Sequence, residues 1–106
     1  MEDKPTVRGG IVGSGFAASL HYEGIRRVYG TNVELVGLFS PTSANARRFA
    51  ELRGIRTFDS LEALLDEVEV VHVCASPAAH EAVAIAALSR GVNAIVEKPL
   101  TGYFGD

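Results

Sequence analysis

The chain has 106 residues, of which 47% are hydrophobic and 22% are charged, a composition typical of one globular domain and not of a disordered segment. Ten basic against thirteen acidic side chains give a net charge of −3, which disfavours nucleic acid as a partner, because phosphate-binding surfaces carry a basic excess. The single cysteine excludes an internal disulfide, and neither a membrane-spanning run nor a secretory pattern is found, so we expect a cytoplasmic protein that does not enter membranes.

Strand patterns alternate with helical patterns along the chain. Asp59, with Glu62 three residues later, predicts the N-cap and capping box of a short helix. In chain order, the predicted elements are a strand over Val7–Val12, a helix over Ala17–Tyr29, a strand over Val33–Phe39, a helix over Ala44–Leu52, a strand over Arg56–Phe58, a helix that includes Leu61, Leu64 and Leu65, a strand over Val68–Cys74, a helix over Pro77–Arg90 and a strand over Asn93–Val96.

This alternation predicts an α/β fold, a Rossmann-like doubly wound parallel sheet with strand order 3-2-1-4-5. We interpret residues 1–106 as one NAD(P)-binding domain, truncated before a sixth strand and before a second, substrate-binding domain. Asn93–Val96 would then be an open sheet edge, and open edges pair with other chains. We therefore expect a homo-oligomer.

A glycine turn follows the first predicted strand. The run Gly13-Ser14-Gly15-Phe16-Ala17-Ala18 matches G-x-G-x-x-G/A in its required place between a strand and a helix. The first glycine permits a tight turn, the second lets the backbone approach a pyrophosphate, and the small sixth residue allows close packing of helix and strand. The pattern favours dinucleotide binding; the alternative is a glycine-rich turn that binds nothing.

The end of the second strand bears on cofactor choice. NAD-selective sites usually place a carboxylate there, about twenty residues after the glycine turn, but this chain has Ser40. Ser40 and Thr42, with Arg47 in the next helix, could accept a 2′-phosphate, so the cofactor is NAD or NADP and NADP is favoured. The alternative for Arg47 and Arg48 is an exposed helix face, which we prefer for Arg48 because it directly precedes the apolar Phe49.

Two further segments follow the fourth and fifth strands, where ligands bind in open α/β sheets. They are the turn Ser76-Pro77-Ala78-Ala79-His80 and the run Glu97-Lys98-Pro99-Leu100. With the glycine turn and His21, these segments resemble the glucose–fructose oxidoreductase and inositol dehydrogenase (Gfo/Idh/MocA) family from Val7 to Leu100. The Glu-Lys-Pro triplet is the specific part of the resemblance.

The resemblance implies a cofactor domain of a dehydrogenase that transfers hydride to or from a secondary alcohol or carbonyl of a sugar- or cyclitol-like substrate. It implies that Ser76, Pro77 and His80 line the cofactor and that Lys98, beside Glu97, hydrogen-bonds the reacting oxygen. An ammonium there would stabilise negative charge on that oxygen. The alternative for Lys98 is a surface lysine. Because the substrate domain and its histidine acid/base are missing, we expect these residues alone to bind nucleotide without turnover.

The histidines and the cysteine divide by position. His21 is in phase with Ala18 on the first helix, which indicates a packed, hydrogen-bonded side chain. His72 lies within a valine-rich strand and has no metal-ligand spacing around it, so we read it as structural. His80 fits either cofactor contact or helix packing. Cys74 is expected to be a buried strand residue.

Two other functions remain open. One is a non-catalytic dinucleotide sensor or regulatory module, which the loss of turnover on changing Lys98 in the full-length protein would distinguish from an enzyme. The other is a different Rossmann enzyme, for example one that uses S-adenosylmethionine, against which the Glu97-Lys98-Pro99 run argues.

Overall fold

A computed structural model describes residues 5–41 and 43–96. Over these ranges the chain forms a parallel α/β sheet with helices on both faces, which confirms the predicted Rossmann-like class. The elements are β1 (Thr6–Val12), α1 (Phe16–Arg26), β2 (Asn32–Phe39), α2 (Ser43–Arg53), α3 (Leu61–Leu65), β3 (Val70–Val73), α4 (Pro77–Ser89) and β4 (Asn93–Val96).

The sheet places the carboxyl ends of its strands in one row. Its order is β2-β1-β3-β4, and all three neighbouring pairs are parallel. Val12 at the end of β1 is in register with Phe39 of β2 and with Val73 of β3, and Val73 is in register with Val96 of β4. The loops that follow these strands therefore start along one edge, where ligands of open α/β sheets bind.

The predicted five-strand order 3-2-1-4-5 is wrong in one element. Within the described ranges the sheet has four strands, and Arg56–Phe58 contributes only an isolated parallel bridge between Leu38 and Thr57. Two backbone hydrogen bonds form it, from Leu38 N to the Arg56 carbonyl (2.9 Å) and from Phe58 N to the Leu38 carbonyl (2.8 Å). The segment follows the edge of β2 too briefly to make a ladder, since the cap of α3 begins at Ser60.

The predicted capping box is also displaced. Ser60, not Asp59, is the N-cap of α3, and its Oγ accepts a hydrogen bond from the Ala63 amide at 3.0 Å. Both side chains are good caps, and the one whose backbone is extended at the helix start takes the role.

Helix α1 ends earlier than its apolar pattern suggests. The predicted helix reaches Tyr29, whereas α1 ends at Arg26, and the amides of Arg27 and Val28 bond to carbonyls three residues back, in a tighter turn. Tyr29 is left exposed, because the chain has already turned towards β2.

Two apolar layers hold the sheet between its helices. One joins α3 and α4 to the sheet; its buried residues are Val12, Phe58, Leu64, Leu65, Val68, Val71, Val73, Val83, Ala87 and Val92. The other joins α1 and α2 to the opposite face; its buried residues are Ile11, Ala18, Ile25, Leu38, Ala46, Phe49, Ala50 and Cys74. In the part of the chain that the structure describes, no helix combines the length and apolarity needed to cross a bilayer.

Candidate functional site

The glycine turn is held against both neighbouring strands. Gly13 N donates a hydrogen bond of 2.8 Å to the Phe39 carbonyl at the end of β2. Gly13 has φ +120°, and a Cβ at this position would lie 2.6 Å from the Cys74 carbonyl oxygen. Only glycine meets both requirements, because a side chain would strain the backbone and collide with β3's continuation.

Gly15 begins α1 and faces open space. It is the N-cap of the helix, without a side-chain cap bond, and the first turn carries no acidic residue. A Cβ built on Gly15 would meet no heavy atom within 4 Å apart from those of its neighbours along the chain. The early amides of a helix lack intrahelical partners and carry partial positive charge, so this end of α1 suits an anion that approaches the backbone closely.

The sixth residue of the motif has the role that its size predicts. Ala18 is fully buried, with 0% exposure, in the layer that joins α1 to the sheet. A larger side chain would push the start of α1 away from β1. Phe16 and Ala17 precede it on the first turn, and Phe16 is exposed.

Ser14 connects the turn to the end of the neighbouring strand. Its Oγ donates to the Ser40 Oγ at 3.1 Å, and both side chains are partly buried. The two hydroxyls therefore belong to one polar surface, which runs from the glycine turn to the residue where a cofactor ribose is read in this class of fold.

A cavity of about 360 Å³ opens beside Ser40. It is lined by Arg47, the candidate 2′-phosphate contact, and also by Asp59, for which the sequence predicts helix capping instead. Because Ser60 takes the capping role, the Asp59 carboxylate is available to the cavity. The remaining lining residues are Phe39, Pro41, Ala46, Thr57 and Phe58.

A second groove of about 410 Å³ runs from the glycine turn to α2. Arg48 lies in it with Ser14, Gly15 and Phe16, so this arginine is both exposed and next to the candidate anion site. Sequence reasoning preferred a plain exposed helix face for Arg48. Its place in the groove depends on how α2 packs against α1, and the local pattern carries no signal for that.

The loop after β3 is fixed by a histidine. Ser76 is the N-cap of α4 and Pro77 its first residue. The His80 side chain is 2% exposed, and its Nε2 donates to the Ala75 carbonyl at 2.9 Å. Because a carbonyl can only accept, this bond fixes the imidazole orientation and holds the loop that carries Ser76 beside the turn.

Other predicted residues lie outside the site or outside the described ranges. Thr42, Glu97, Lys98 and Pro99 are not among the residues that the structure describes. His21 and His72 contact each other across α1 and β3, and Cys74 is buried, as predicted. Among the described residues, no group of three potential metal ligands occurs.

The chain is similar to known oxidoreductases. A family model described as "Oxidoreductase family, NAD-binding Rossmann fold" (GFO_IDH_MocA) matches residues 7–105. The chain is 33% identical over 95 residues to UDP-N-acetylglucosamine 3-dehydrogenase of Acidithiobacillus ferrooxidans, covering 90% of this chain and 29% of the enzyme. It is 32% identical over 103 residues to inositol 2-dehydrogenase of Leifsonia xyli, covering 95% and 30%.

A solved structure has the same architecture. The crystal structure of biliverdin reductase from Synechocystis sp. PCC 6803, in complex with biliverdin and NADP+, superposes with a TM-score of 0.80 at 34% identity, covering 90% of this chain and 30% of that one. The chain thus spans less than a third of the length of the relatives that it matches.

Proposed function

This chain belongs to the oxidoreductase family with an NAD-binding Rossmann fold, and from this premise we propose that it is the cofactor-binding part of an NAD(P)-dependent dehydrogenase. One observation carries the proposal: the start of α1, which has no side-chain cap, follows a turn whose two glycines differ. Gly13 has no room for a Cβ beside the Cys74 carbonyl, whereas a Cβ on Gly15 would point into open space. Because Gly15 directly precedes the amides at the start of α1 that lack intrahelical partners, the absence of a side chain there leaves those amides open to a ligand that approaches the backbone.

Each part of the site has a task in binding. The amides at the start of α1 hold the diphosphate, and Arg48 in the adjoining groove adds positive charge. Ser40, Thr42 and Arg47 contact the ribose next to the adenine and the 2′-phosphate that NADP carries there. The cofactor contacts assigned to Ser76 and Pro77 belong to the loop after β3, which His80 keeps in place through the Ala75 carbonyl.

The reaction we propose is hydride transfer between the nicotinamide, which supplies the hydride acceptor or donor, and a secondary alcohol or carbonyl of a sugar- or cyclitol-like substrate. Lys98, beside Glu97, stabilises the negative charge that develops on the substrate oxygen. The substrate class rests on relatives named as dehydrogenases of UDP-N-acetylglucosamine and of inositol. The substrate pocket and the general base come from a second domain of a longer, cytoplasmic, homo-oligomeric protein.

Between the two coenzymes we propose a preference for NADP. The end of β2 carries Ser40 in place of a carboxylate, and Arg47 lines the same cavity. Asp59 opposes this preference, because its carboxylate repels a 2′-phosphate and accepts ribose hydroxyls. Arg47→Gln should weaken NADP binding and leave NAD binding unchanged, whereas Asp59→Asn should strengthen NADP binding.

Calorimetric titration with both coenzymes tests the binding site itself. Gly15→Val should weaken either coenzyme at least about tenfold, because the added side chain occupies the space at the amides. Gly24→Ala is the control, since Gly24 lies inside α1, away from its first turn, and like Gly15 has open space around it; this variant should bind as the parent does. If the folded parent binds neither coenzyme, or if Gly15→Val binds as well as Gly24→Ala, the proposal is wrong.

Turnover in the full-length protein tests the enzyme assignment. Lys98→Ala should reduce kcat strongly and leave the coenzyme Kd nearly unchanged, because the ammonium acts on the reacting oxygen. If the parent protein shows no turnover on sugars or cyclitols, the alternative function, a non-catalytic dinucleotide sensor or regulatory module, is supported instead.

A further inference from the structure

Two imidazoles from different elements meet beneath α1. Nδ1 of His21 on α1 lies 2.9 Å from Nδ1 of His72 on β3, and the rings stand edge to face with centroids 5.1 Å apart. This is hydrogen-bonding distance, so one of the two nitrogens carries a hydrogen and donates it in a hydrogen bond that the lone pair of the other nitrogen accepts. Two bare nitrogens would repel each other, and so would two N–H groups.

The pair faces apolar surroundings. It lies on the wall of a groove of about 540 Å³ whose other lining residues are Val7, Gly24, Ile25, Val28, Thr31, Val33, Val70 and Ile95. None of these residues is charged. Burial, and then the positive charge of His21, lower the pKa of His72 to about 4.

The charged groups of the surrounding elements are engaged elsewhere. On α1, the Glu23 carboxylate lies 2.6 Å from Arg27 and 3.5 Å from Arg26. On β1 and β2, Arg8 and Glu34 form an ion pair at 3.2 Å. Among the described residues of β3 and β4, the only titratable side chain is His72 itself. If both imidazoles were protonated, no carboxylate among the described lining residues of the groove would compensate their positive charges.

We propose that the Nδ1–H of His21 donates a hydrogen bond to the unprotonated Nδ1 of His72, and that this bond is a positioning contact that fixes α1 on the sheet and so holds the amides of the glycine turn in their binding geometry. His72 is then the neutral Nε2–H tautomer. The expected effect on coenzyme binding rests on the proposed function. The hydrogen bond and its effect on the glycine turn do not depend on that function.

The geometry of α1 explains how the bond reaches the turn. His21 lies on the same stripe of the helix as Ala18 and Ile25, the two residues by which α1 is buried. His21 lies six positions after Gly15, which is about 9 Å along the axis at 1.5 Å per residue. If the His21–His72 bond is lost, only the buried Ala18 and Ile25 still hold α1 on the sheet. The helix can then change its tilt, which moves the amides of its first turn.

Nitrogen-15 NMR of the imidazoles tests the bond without any nucleotide. The expected result is a His72 that stays the neutral Nε2–H tautomer on acidification from about pH 7 to about pH 5, below its usual titration range. The Gly15 amide signal should shift as His72 becomes protonated, and this pH-dependent shift should vanish in His72→Gln. A His72 that titrates near its ordinary value of about 6.5, or that is the Nδ1–H tautomer, overturns the proposal.

Coenzyme affinity tests the positioning role. His72→Gln keeps an acceptor and should bind within about twofold of the parent at neutral pH, whereas the apolar His72→Leu should bind at least about fivefold more weakly. Circular dichroism checks that both variants are folded. Equal affinity of the folded Gln and Leu variants would contradict the positioning role. If the parent binds no coenzyme, the proposed function fails, and the Gly15 amide signals of the parent and of His72→Leu still decide this inference.

Discussion

The Ser14 hydroxyl donates to the Ser40 hydroxyl at 3.1 Å, and this bond joins the glycine turn to the first residue after β2. Gly13 N makes a parallel connection through the Phe39 carbonyl. The candidate diphosphate site and the candidate ribose site are therefore parts of one rigid corner. A substitution at either serine should therefore alter the contacts with both the diphosphate and the ribose of a bound dinucleotide.

A carboxylate at position 40 should reverse the coenzyme preference. Ser40→Asp places negative charge where a 2′-phosphate would lie and supplies acceptors for ribose hydroxyls, so the ratio of NADP to NAD affinity should fall at least about tenfold. Titration calorimetry at low salt measures both constants. Thr6→Asp, at the opposite end of the sheet, is the control and should leave the ratio unchanged. An unchanged ratio in Ser40→Asp would remove Ser40 from the ribose site.

Gly13→Ala should destabilise the fold. The new Cβ would lie 2.6 Å from the Cys74 carbonyl oxygen, on a backbone with φ +120°. Strain and overlap together should lower the free energy of unfolding by about 2–4 kcal/mol. Urea unfolding measures the loss, and Gly24→Ala should instead raise the stability by about 0.5–1 kcal/mol, because alanine is the better residue inside a helix. Equal midpoints for the two variants would show that the turn is not constrained as described.

Stability should fall on mild acidification because of His72. The pKa of His72 is about 4 in the fold, below its ordinary 6.5, so the unfolded chain binds the proton more tightly between these values. The contribution of His72 is fully present above about pH 6.5 and is lost as the pH falls towards 4, by about 1–2 kcal/mol after allowance for partial exposure. Urea midpoints across this range measure the slope. His72→Gln should flatten it, and a slope that survives in that variant would assign the effect to other groups.

The edge strand β4 should mediate self-association. Among residues 5–41 and 43–96 it pairs only with β3, and Ile95 on it is 47% exposed beside the apolar groove. Unpaired strand edges with apolar side chains recruit another chain. Sedimentation velocity should show a concentration-dependent dimer that Ile95→Lys weakens and Glu81→Lys, on the exposed surface of α4, does not. A monomer at every concentration would refute this prediction.

The elements that could be predicted from sequence are those with local causes. The valine-rich segment ending near Cys74 and the turn at Gly13 are specified by hydrophobicity and by backbone freedom within a few residues. The bridge at Thr57 and the N-cap at Ser60 were missed because they depend on how far the chain follows β2 before it turns.

The same division applies to the candidate site. The glycine motif and Ser40 were found because their spacing along the chain is diagnostic. Asp59 and Arg48 were not, since each reaches its cavity through the packing of α2 and of the bridge segment beside β2. The pairing of His21 with His72 likewise joins residues 51 positions apart, which periodicity alone does not reveal.

The open space around Gly15 also makes loss of function easy to acquire during evolution. Since a Cβ there meets no atom of a residue distant in the chain within 4 Å, a single substitution can abolish coenzyme binding with little loss of the folded population. Cellular proteases and chaperones respond to unfolded chains, so they would not remove such a variant. Duplicated copies of this domain could thus persist as inert scaffolds, recognisable by a larger residue at this one position.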